Sequence, residues 1–201
     1  MNKPFAQSCA ENQEVILATI RPLLSDTKSV LEIGSGTGQH AVYFAKQLNH
    51  LHWQTSDLPA YHEGIELWIK DSQLSNVKAP ITLDVADSNW PNQKFDAIFT
   101  ANTLHIMSFS DVQSLFKNII QVLNANARLL IYGPFNYNNQ FTSESNSRFD
   151  AWLKSRDPKS GIRHFEDIND MAKQAGLKLI EDIEMPVNNR LLYFQNQRES
   201  E

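Results

Sequence analysis

Apolar residues along the chain follow two patterns, which are short continuous runs and longer stretches with helical spacing. The run at 95–101 shows no polar alternation, as is typical of a strand that is covered on both faces. Runs of this kind predict strands at 29–33, 51–56, 77–83, 95–101, 128–132, 177–183 and 191–194. Helical spacing predicts helices that begin at Ser8, span 37–48, 62–73, 111–123 and 165–175, and lie around Phe149.

Boundary signals refine several of these elements. Ser8 and Glu11 have the spacing of a capping box, which predicts the start of the first helix. Gly176 predicts the C-cap of the last helix. The segment 84–95 has room for no more than a short helical turn. The segment 186–189 is short enough to close an antiparallel hairpin.

The alternation of strands and helices predicts an α/β fold. We expect a Rossmann-like, doubly wound, mostly parallel seven-stranded sheet that ends in a C-terminal antiparallel hairpin. No internal repeat, low-complexity segment or long linker interrupts the pattern, so residues 1–201 are expected to form a single domain.

Composition narrows the classes of protein to consider. A net charge of -5 and a pI near 5.7 argue against a nucleic-acid-binding protein. Cys9 is the single cysteine, which indicates a reducing compartment. No apolar stretch approaches the roughly 18 residues of a membrane span, and 1–5 lacks the apolar core of a signal peptide. We therefore expect a cytoplasmic protein.

The segment after the first predicted strand carries the main candidate chemistry. Glu32 near the end of that strand is followed by glycines at alternate positions, Gly34, Gly36 and Gly38. Glycines accept positive φ and let a ligand approach the main chain. A dinucleotide fingerprint would need its third glycine at position 39, where Gln39 stands. The spacing therefore disfavours a nicotinamide dinucleotide.

The ends of the following strands carry acidic residues that suit an adenosyl group. Asp57 lies 19 residues beyond Gly38, where a carboxylate can accept hydrogen bonds from both ribose hydroxyls. Asp84 can accept from the adenine amine, and Val85 can pack against the ring. Glu32 would repel a pyrophosphate and favour a cationic ligand end, such as the ammonium of S-adenosylmethionine.

The arrangement E-x-G-x-G-x-G at 32–38 resembles motif I of the class I S-adenosylmethionine-dependent methyltransferases. Further segments resemble the methyltransferase-like 26 group, a family long labelled as a domain of unknown function. These segments are 3–12, 53–57, 83–85, 101–106, 132–135, 161–163 and 185–189.

The resemblance implies S-adenosylmethionine as the cofactor. It places the glycines against the methionine and ribose portion, Glu32 at the methionine amine, Asp57 at the ribose, and Asn102 near the sulfonium. The residues implied to bind the cofactor are Glu32, Gly34, Ser35, Gly36, Gly38, Asp57, Leu58, Asp84, Val85 and Asn102.

Residues near the later strand ends are candidates for catalysis and for acceptor binding. His105 is the candidate general base, and Asn102 is the second candidate catalytic residue. A histidine packed in the loop is the alternative for His105. The candidate acceptor-binding residues are Asn12, Tyr132, Arg163 and Asn189. The alternative is core packing for Tyr132, surface ion pairing for Arg163 and turn formation for Asn189.

The sequence therefore predicts an S-adenosylmethionine-dependent methyltransferase that acts on a small-molecule acceptor. A non-catalytic protein that binds S-adenosylmethionine or S-adenosylhomocysteine is the alternative, and a nucleotide-dependent oxidoreductase is disfavoured by the glycine spacing. We expect no nucleic acid or membrane partner and no metal, with a homodimer as the candidate assembly.

Overall fold

The computed structural model describes residues 3–198, which group into two compact units. Unit 1 comprises the chain up to Asp84 together with Phe95–Thr100, and unit 2 comprises Val85–Lys94 together with the chain from Ala101 onward. A seven-stranded sheet has the strand order β3-β2-β1-β4-β5-β9-β8. The predicted α/β fold with a mostly parallel seven-stranded sheet is confirmed.

Unit 1 is built from alternating helices and parallel strands. Its elements are α1 (Gln7–Leu23), β1 (Ser29–Ile33), α2 (Gln39–Gln47), β2 (His52–Asp57), α3 (Pro59–Ser72), β3 (Val77–Thr82) and β4 (Phe95–Ala101), of which the last residue belongs to unit 2. β1 pairs in parallel with β2 and with β4, and β2 pairs in parallel with β3. Ile33 pairs with Ser56, so β1 and β2 end at the same edge.

An aromatic cluster fills the core of unit 1. The rings of Phe44, Trp53 and Phe99 have centroids 5.4 to 5.9 Å apart, and all three side chains are fully buried. Aromatic rings bury large apolar areas and favour tilted or edge contacts of this kind. The cluster ties α2 to the underlying strands and so fixes the end of β1, where the glycine turn begins.

The predicted capping box at the start of α1 is wrong. α1 begins at Gln7, and its N-cap residue is Ala6, which has no side-chain oxygen to cap the first turn. The backbone N–H of Ala6 instead donates to Oε1 of Gln39 at 2.5 Å, and Glu11 accepts from the side chain of Gln7. A side chain from α2 therefore takes the place of the local cap.

Unit 2 contains the later helices and the antiparallel part of the sheet. Its elements are α4 (Phe109–Asn118), a 3₁₀ helix (Ile119–Val122), β5 (Leu123–Gly133), β6 (Phe135–Asn136), α5 (Glu144–Arg156), β7 (Arg163–His164), α6 (Phe165–Gln174), β8 (Leu177–Met185) and β9 (Asn189–Asn196). β9 runs antiparallel to both β5 and β8, which confirms the predicted hairpin. β6 and β7 form a separate two-stranded parallel sheet that the sequence pattern did not predict.

The helix predicted at 111–123 is shorter than expected. Ser108 caps α4, because its Oγ accepts from the N–H of Asp111 while the Asp111 carboxylate accepts from the N–H of Ser108. The helix ends at Asn118, and the apolar spacing continues through the 3₁₀ helix into β5. Between residues 3 and 198, no helix is both long enough and apolar enough to cross a membrane.

Candidate functional site

The turn after β1 keeps its main chain in the left-handed region. Gly34, Gly36 and Gly38 have φ of 72°, 57° and 86°, values that non-glycine residues adopt at a cost. The N–H groups of Gly34 and Ser35 both donate to the carbonyl of Ser56, at 3.1 and 3.0 Å. The turn is thereby fastened to the end of β2 before any ligand binds.

Two of these glycines have different surroundings. A Cβ at Gly38 would lie 3.0 Å from the Cα of Ile65, so Gly38 allows α2 to pack against α3. A Cβ at Gly36 would have no heavy atom within 4 Å. The space beside Gly36 is therefore open to a ligand, as the predicted cofactor requires.

Asp57 at the end of β2 is bound to the turn through its carboxylate. Its Oδ2 accepts from the N–H of Gly36 and its Oδ1 from the N–H of Leu58, both at 2.7 Å. Burial raises the pKa of Asp57 above its usual range, while these two N–H groups oppose the shift. Each oxygen keeps a second acceptor position. The predicted ribose-binding residue thus sits beside the open space at Gly36.

Glu32 is the most deeply placed of the candidate cofactor residues. Its Oε2 accepts from Oγ of Ser35 at 2.9 Å and from the indole N–H of Trp53 at 3.2 Å. Burial raises the pKa of Glu32 to about 7 in spite of these two hydrogen bonds. Trp53 and Ser35 hold this carboxylate in one orientation, and neither contact was expected from the sequence, which predicted Ser35 as a cofactor-binding residue.

Residues that flank Asp57 complete the end of β2. Leu58 is 42% exposed and leads into α3. The N–H of Leu83 donates to the carbonyl of Asp57 at 3.1 Å, which brings the end of β3 to the same edge. Asp84 follows as an exposed residue. The structure therefore brings together the residues Glu32, Ser35, Gly36, Asp57 and Leu58. Asp84 directly follows Leu83, whose N–H donates to Asp57.

Pro4, which precedes α1, lies against α3 in unit 1. The indole N–H of Trp68 donates to the carbonyl of Pro4 at 2.6 Å, and a Cβ at Gly64 would meet the Pro4 ring at 2.7 Å. A groove of about 370 Å³ is lined by Pro4, Gly36, Thr37, Ala60, Tyr61, Glu63, Gly64 and Leu67. The sequence pattern did not reveal this groove, because Gly64 gives no local signal for a close approach.

Asn12 is placed on the core side of α1. Its Oδ1 lies 2.7 Å from Nε2 of His40, a buried residue of α2. Burial lowers the pKa of His40 to about 4, so the imidazole is neutral and donates to Asn12. This contact joins α1 to α2. The predicted acceptor-binding role of Asn12 stays a prediction.

In unit 2, Asn102 and His105 follow the end of β4 and lie near Gly133. Asn102 has a left-handed backbone with φ of 57°, and its N–H donates to the carbonyl of Tyr132 at 2.9 Å. A Cβ at Gly133 would lie 3.8 Å from Nδ1 of His105 and 3.9 Å from Oδ1 of Asn102. Both side chains therefore lie within ordinary contact distance of the position that a Cβ at Gly133 would take.

His105 is buried in this group. Its ring makes an edge contact with Phe149 of α5, with the centroids 5.3 Å apart. Burial, and secondarily the positive charge of Arg163, lowers the pKa of His105 to about 4. The imidazole is therefore neutral at physiological pH, and it binds a proton less readily than an exposed histidine does.

The guanidinium of Arg163 contacts backbone carbonyls of unit 2. Its Nε donates to Leu104 at 3.0 Å, and its Nη2 donates to Met107 and to Lys159. Burial lowers the pKa of Arg163, although Asp150 and Asp111 oppose the shift. These contacts bind the guanidinium to the protein itself, whereas the sequence predicted acceptor binding or a surface ion pair.

The remaining candidates lie near the other strand ends of unit 2. Tyr132 and Val85 are both buried. Asn189 begins β9 next to Arg190, which pairs in register with Gly133. A groove of about 390 Å³ at this hairpin is lined by Tyr137, Thr142, Glu184, Asn188, Asn189 and Arg190. Asn189 thus lies in a groove and Tyr132 in the core.

A network of charged groups lies beside that groove. Tyr137 donates from its hydroxyl to Oδ2 of Asp182 at 2.7 Å, and Nε of Arg190 donates to Oδ1 of the same carboxylate at 2.8 Å. Burial and the hydrogen bond to Asp182 raise the pKa of Tyr137. The phenol therefore stays neutral and works as a donor.

Comparison with known proteins places the chain in a family and a fold. A family model described as "Protein of unknown function (DUF938)" matches residues 3–196. Among solved structures, an O-methyltransferase family protein from Burkholderia thailandensis has a TM-score of 0.79 at 14% identity, over 94% of this chain and 59% of that one.

Two further structures have the same fold at similar identity. The apo form of the S-adenosylmethionine-dependent methyltransferase SibL has a TM-score of 0.81 at 20% identity, over 95% of this chain and 56% of that one. Human N-acetylserotonin methyltransferase in complex with S-adenosylmethionine has a TM-score of 0.79 at 12% identity, over 96% and 53%. This chain therefore spans less than two thirds of the length of these structures, with which it shares a Rossmann-like fold.

Proposed function

Because the chain belongs to the family described as a protein of unknown function (DUF938), whose description gives no activity, we propose a function from the site itself. The proposal is an S-adenosylmethionine-dependent methyltransferase that acts on a small-molecule acceptor. The proposal is supported by structures of the same fold that are described as an O-methyltransferase family protein and as an S-adenosylmethionine-dependent methyltransferase. The predicted membership of the methyltransferase-like 26 group stays a prediction.

The observation that carries the proposal is the contact between Asp57 and the glycine turn. The carboxylate of Asp57 is fixed by the N–H groups of Gly36 and Leu58, and the space beside Gly36 is open. A fixed carboxylate next to bare backbone suits a ribose, whose two hydroxyls can both donate to it. Glu32 is buried and is hydrogen-bonded to Ser35 of the glycine turn. Its carboxylate suits a cationic end of the same ligand.

When bound, S-adenosylmethionine supplies a methyl carbon that is already activated by the sulfonium. The chain then has to bind the cofactor, orient the acceptor and keep water away. Glu32, Asp57 and the glycine turn would hold the cofactor. His105 follows β4 in the loop before α4 and is unprotonated, so we assign it as the base for a protonated acceptor, although its lowered pKa makes it a weak base.

The proposal includes a small-molecule acceptor, a cytoplasmic location and a homodimeric assembly. A net charge of -5 supports a small molecule over a nucleic acid. A groove of about 390 Å³ at the β8–β9 hairpin has the size of a small-molecule site. The lone Cys9 supports a cytoplasmic setting. A homodimer is the assembly that we propose to test.

A non-catalytic ligand-binding protein is the second candidate. In unit 2, Arg163 is bound to carbonyl groups and Tyr132 is buried, so two of the four candidate acceptor residues serve the protein itself. Such a protein would bind S-adenosylmethionine without transferring its methyl group.

Calorimetry tests the cofactor. We expect S-adenosylhomocysteine to bind with a Kd in the micromolar range or below, and NAD not to bind. Binding of NAD alone would show that the glycine turn had been assigned to the wrong ligand. Incubation with S-adenosylmethionine labelled in its methyl group and a metabolite extract then separates the two candidates. Label transferred to a small molecule supports the methyltransferase, and its absence at saturating cofactor supports the binding protein.

A further inference from the structure

We propose that residues 159–163 position the imidazole of His105 by holding the loop that follows β4, with Arg163 as the main positioning residue. This inference rests on the proposed function, in which His105 is the base. It assigns Arg163 a role that differs from the acceptor binding expected from the sequence.

The loop is held through four consecutive carbonyl groups. Nε of Arg163 donates to Leu104 at 3.0 Å, and Nη2 donates to Met107. Between them, the N–H of Gly161 donates to His105 at 2.9 Å, and Oγ of Ser160 donates to Ile106 at 2.8 Å. The carbonyls at 104, 105, 106 and 107 therefore each accept a hydrogen bond from the segment 160–163.

The chemistry of arginine suits this role. A planar guanidinium presents several N–H groups in fixed directions, so one side chain can bind separate carbonyls at once. Nη2 of Arg163 also donates to Lys159 at 3.0 Å, which closes the segment on itself. A lysine would keep the charge without this geometry.

The holding segment is itself fixed to α5. The buried Asp150 accepts from the N–H of Ile162 at 2.8 Å and pairs with Lys154 at 2.7 Å. A Cβ at Gly161 would lie 3.0 Å from Oδ1 of Asp150, so Gly161 permits the close approach. α5 also supplies Phe149, whose ring contacts His105. α5 thus contacts both the backbone of the segment 160–163, through Asp150, and the imidazole of His105, through Phe149.

The charge of Arg163 acts on His105 as well. It lowers the pKa of His105 in addition to burial, so the imidazole stays neutral. Asp150 and Asp111 are the charged groups that act on Arg163 in turn. Arg163 therefore holds the loop of His105 in place and at the same time disfavours the charged imidazolium.

The test uses the full chain with ¹⁵N-labelled histidine and no ligand. The pKa of His105 is measured by imidazole NMR, and its accessibility by the rate of modification with diethyl pyrocarbonate. Arg163→Gln is expected to raise the pKa of His105 by about one pH unit and its modification rate about tenfold. Arg163→Lys is expected to keep the low pKa but to show the faster modification.

Two further variants keep the test informative. Ser160→Ala removes only the hydrogen bond to Ile106 and should raise the modification rate about twofold without unfolding the chain. Arg148→Gln is the matched control, because Arg148 is exposed and pairs with Glu144 on the same α5. Arg148→Gln should leave the pKa and the modification rate of His105 unchanged.

Two results would contradict the positioning role of Arg163. If Arg163→Gln lowers Tm but leaves both the pKa and the modification rate of His105 as in the wild type, the positioning role is wrong. If Arg163→Gln does not fold, unchanged modification rates in Arg163→Lys and Ser160→Ala overturn it. S-adenosylhomocysteine calorimetry on the wild type tests the proposed function separately, since the His105 measurements need no ligand.

Discussion

The turn after β1 and the turn after β4 both use left-handed backbone, but different residues adopt it. In unit 1 the positions belong to Gly34, Gly36 and Gly38, and in unit 2 the position belongs to Asn102. Glycine exposes bare main chain, whereas asparagine tolerates the same φ and keeps an amide side chain. The first turn can therefore be approached closely, and the second presents a polar group.

The two turns also differ in what their neighbours do. In unit 1, the carboxylates of Glu32 and Asp57 accept hydrogen bonds and keep acceptor positions for a ligand. In unit 2, Arg163 binds backbone carbonyls and holds the loop of His105. The residues that the sequence marks as candidates for ligand binding thus differ. Glu32 and Asp57 keep acceptor positions for a ligand, whereas the guanidinium of Arg163 is bound to the protein itself.

The largest effect is expected for Asp57→Ala. This change removes the ribose acceptor and the two short bonds from Gly36 and Leu58 that support the turn. Hydrogen bonds to a charged group contribute roughly 1.5–3 kcal/mol each, so we expect affinity for S-adenosylmethionine to fall about 1000-fold. Calorimetry measures the loss.

Glu66→Ala is the matched control for Asp57→Ala. Glu66 is an exposed carboxylate of α3 in the same unit, and its removal should leave affinity unchanged. If Asp57→Ala binds S-adenosylmethionine as the wild type does, the ribose assignment is wrong, whatever the control shows.

The next largest effect concerns pH and Glu32. Its pKa in the folded chain, about 7, lies above the unfolded value, so the folded state binds more protons between pH 4.5 and 7. The contribution of Glu32 to the free energy of unfolding should therefore decrease as pH rises through this range. A shift of this size corresponds to about 3 kcal/mol.

Comparison of wild type with Glu32→Gln isolates this contribution. Urea unfolding at pH 5 and pH 8 should show the wild type losing stability relative to the variant at the higher pH. His40 and His105, whose pKa values are lowered, act in the opposite direction but are common to both proteins. An equal pH dependence of the two proteins would contradict the raised pKa of Glu32.

Glu32 should also couple cofactor binding to protons. An ammonium favours the ionised carboxylate, so affinity for S-adenosylmethionine should rise as pH increases through 7. Calorimetry in buffers of different ionisation enthalpy should detect release of a proton by the wild type near pH 7 and none by Glu32→Gln.

Two glycine substitutions separate ligand binding from packing in the turn after β1. Gly36→Asn should adopt the same φ and fill open space, so that affinity for S-adenosylmethionine falls about 30-fold while stability changes by less than about 1 kcal/mol. Gly38→Ala should instead destabilise the fold by about 2 kcal/mol, because its Cβ meets the Cα of Ile65. Loss of stability without loss of affinity at Gly36 would remove it from the ligand site.

Elements with a strong local pattern could be predicted from the sequence. β1 and β4 were expected at their observed positions, since continuous apolar runs mark buried strands. The contacts of Glu32, Gly36 and Asp57 form one group, as their strand ends suggested. The carboxyl ends of neighbouring parallel strands lie at one edge of a sheet. The apolar pattern and the strand topology together were therefore sufficient to predict this group.

Features that depend on distant residues could not be predicted. The start of α1 is set by Gln39, which lies 33 residues from Ala6. The pairing of β6 with β7 involves two residues on each strand, too few for a period to appear. Arg163 contacts carbonyls 56 and 59 residues away, and backbone carbonyls leave no trace in a sequence.

The smallest effect is expected for Asn102→Gly, which converts the second turn into the kind found in the first. Glycine adopts φ near 57° without strain, so the free energy of unfolding should change by less than about 1 kcal/mol. The amide that lies near His105 and Gly133 would be lost. If this amide contacts the cofactor, affinity for S-adenosylmethionine should fall about tenfold, as one hydrogen bond predicts. Unchanged affinity with unchanged stability would mean that Asn102 serves only the turn, and that its amide is not part of the cofactor site.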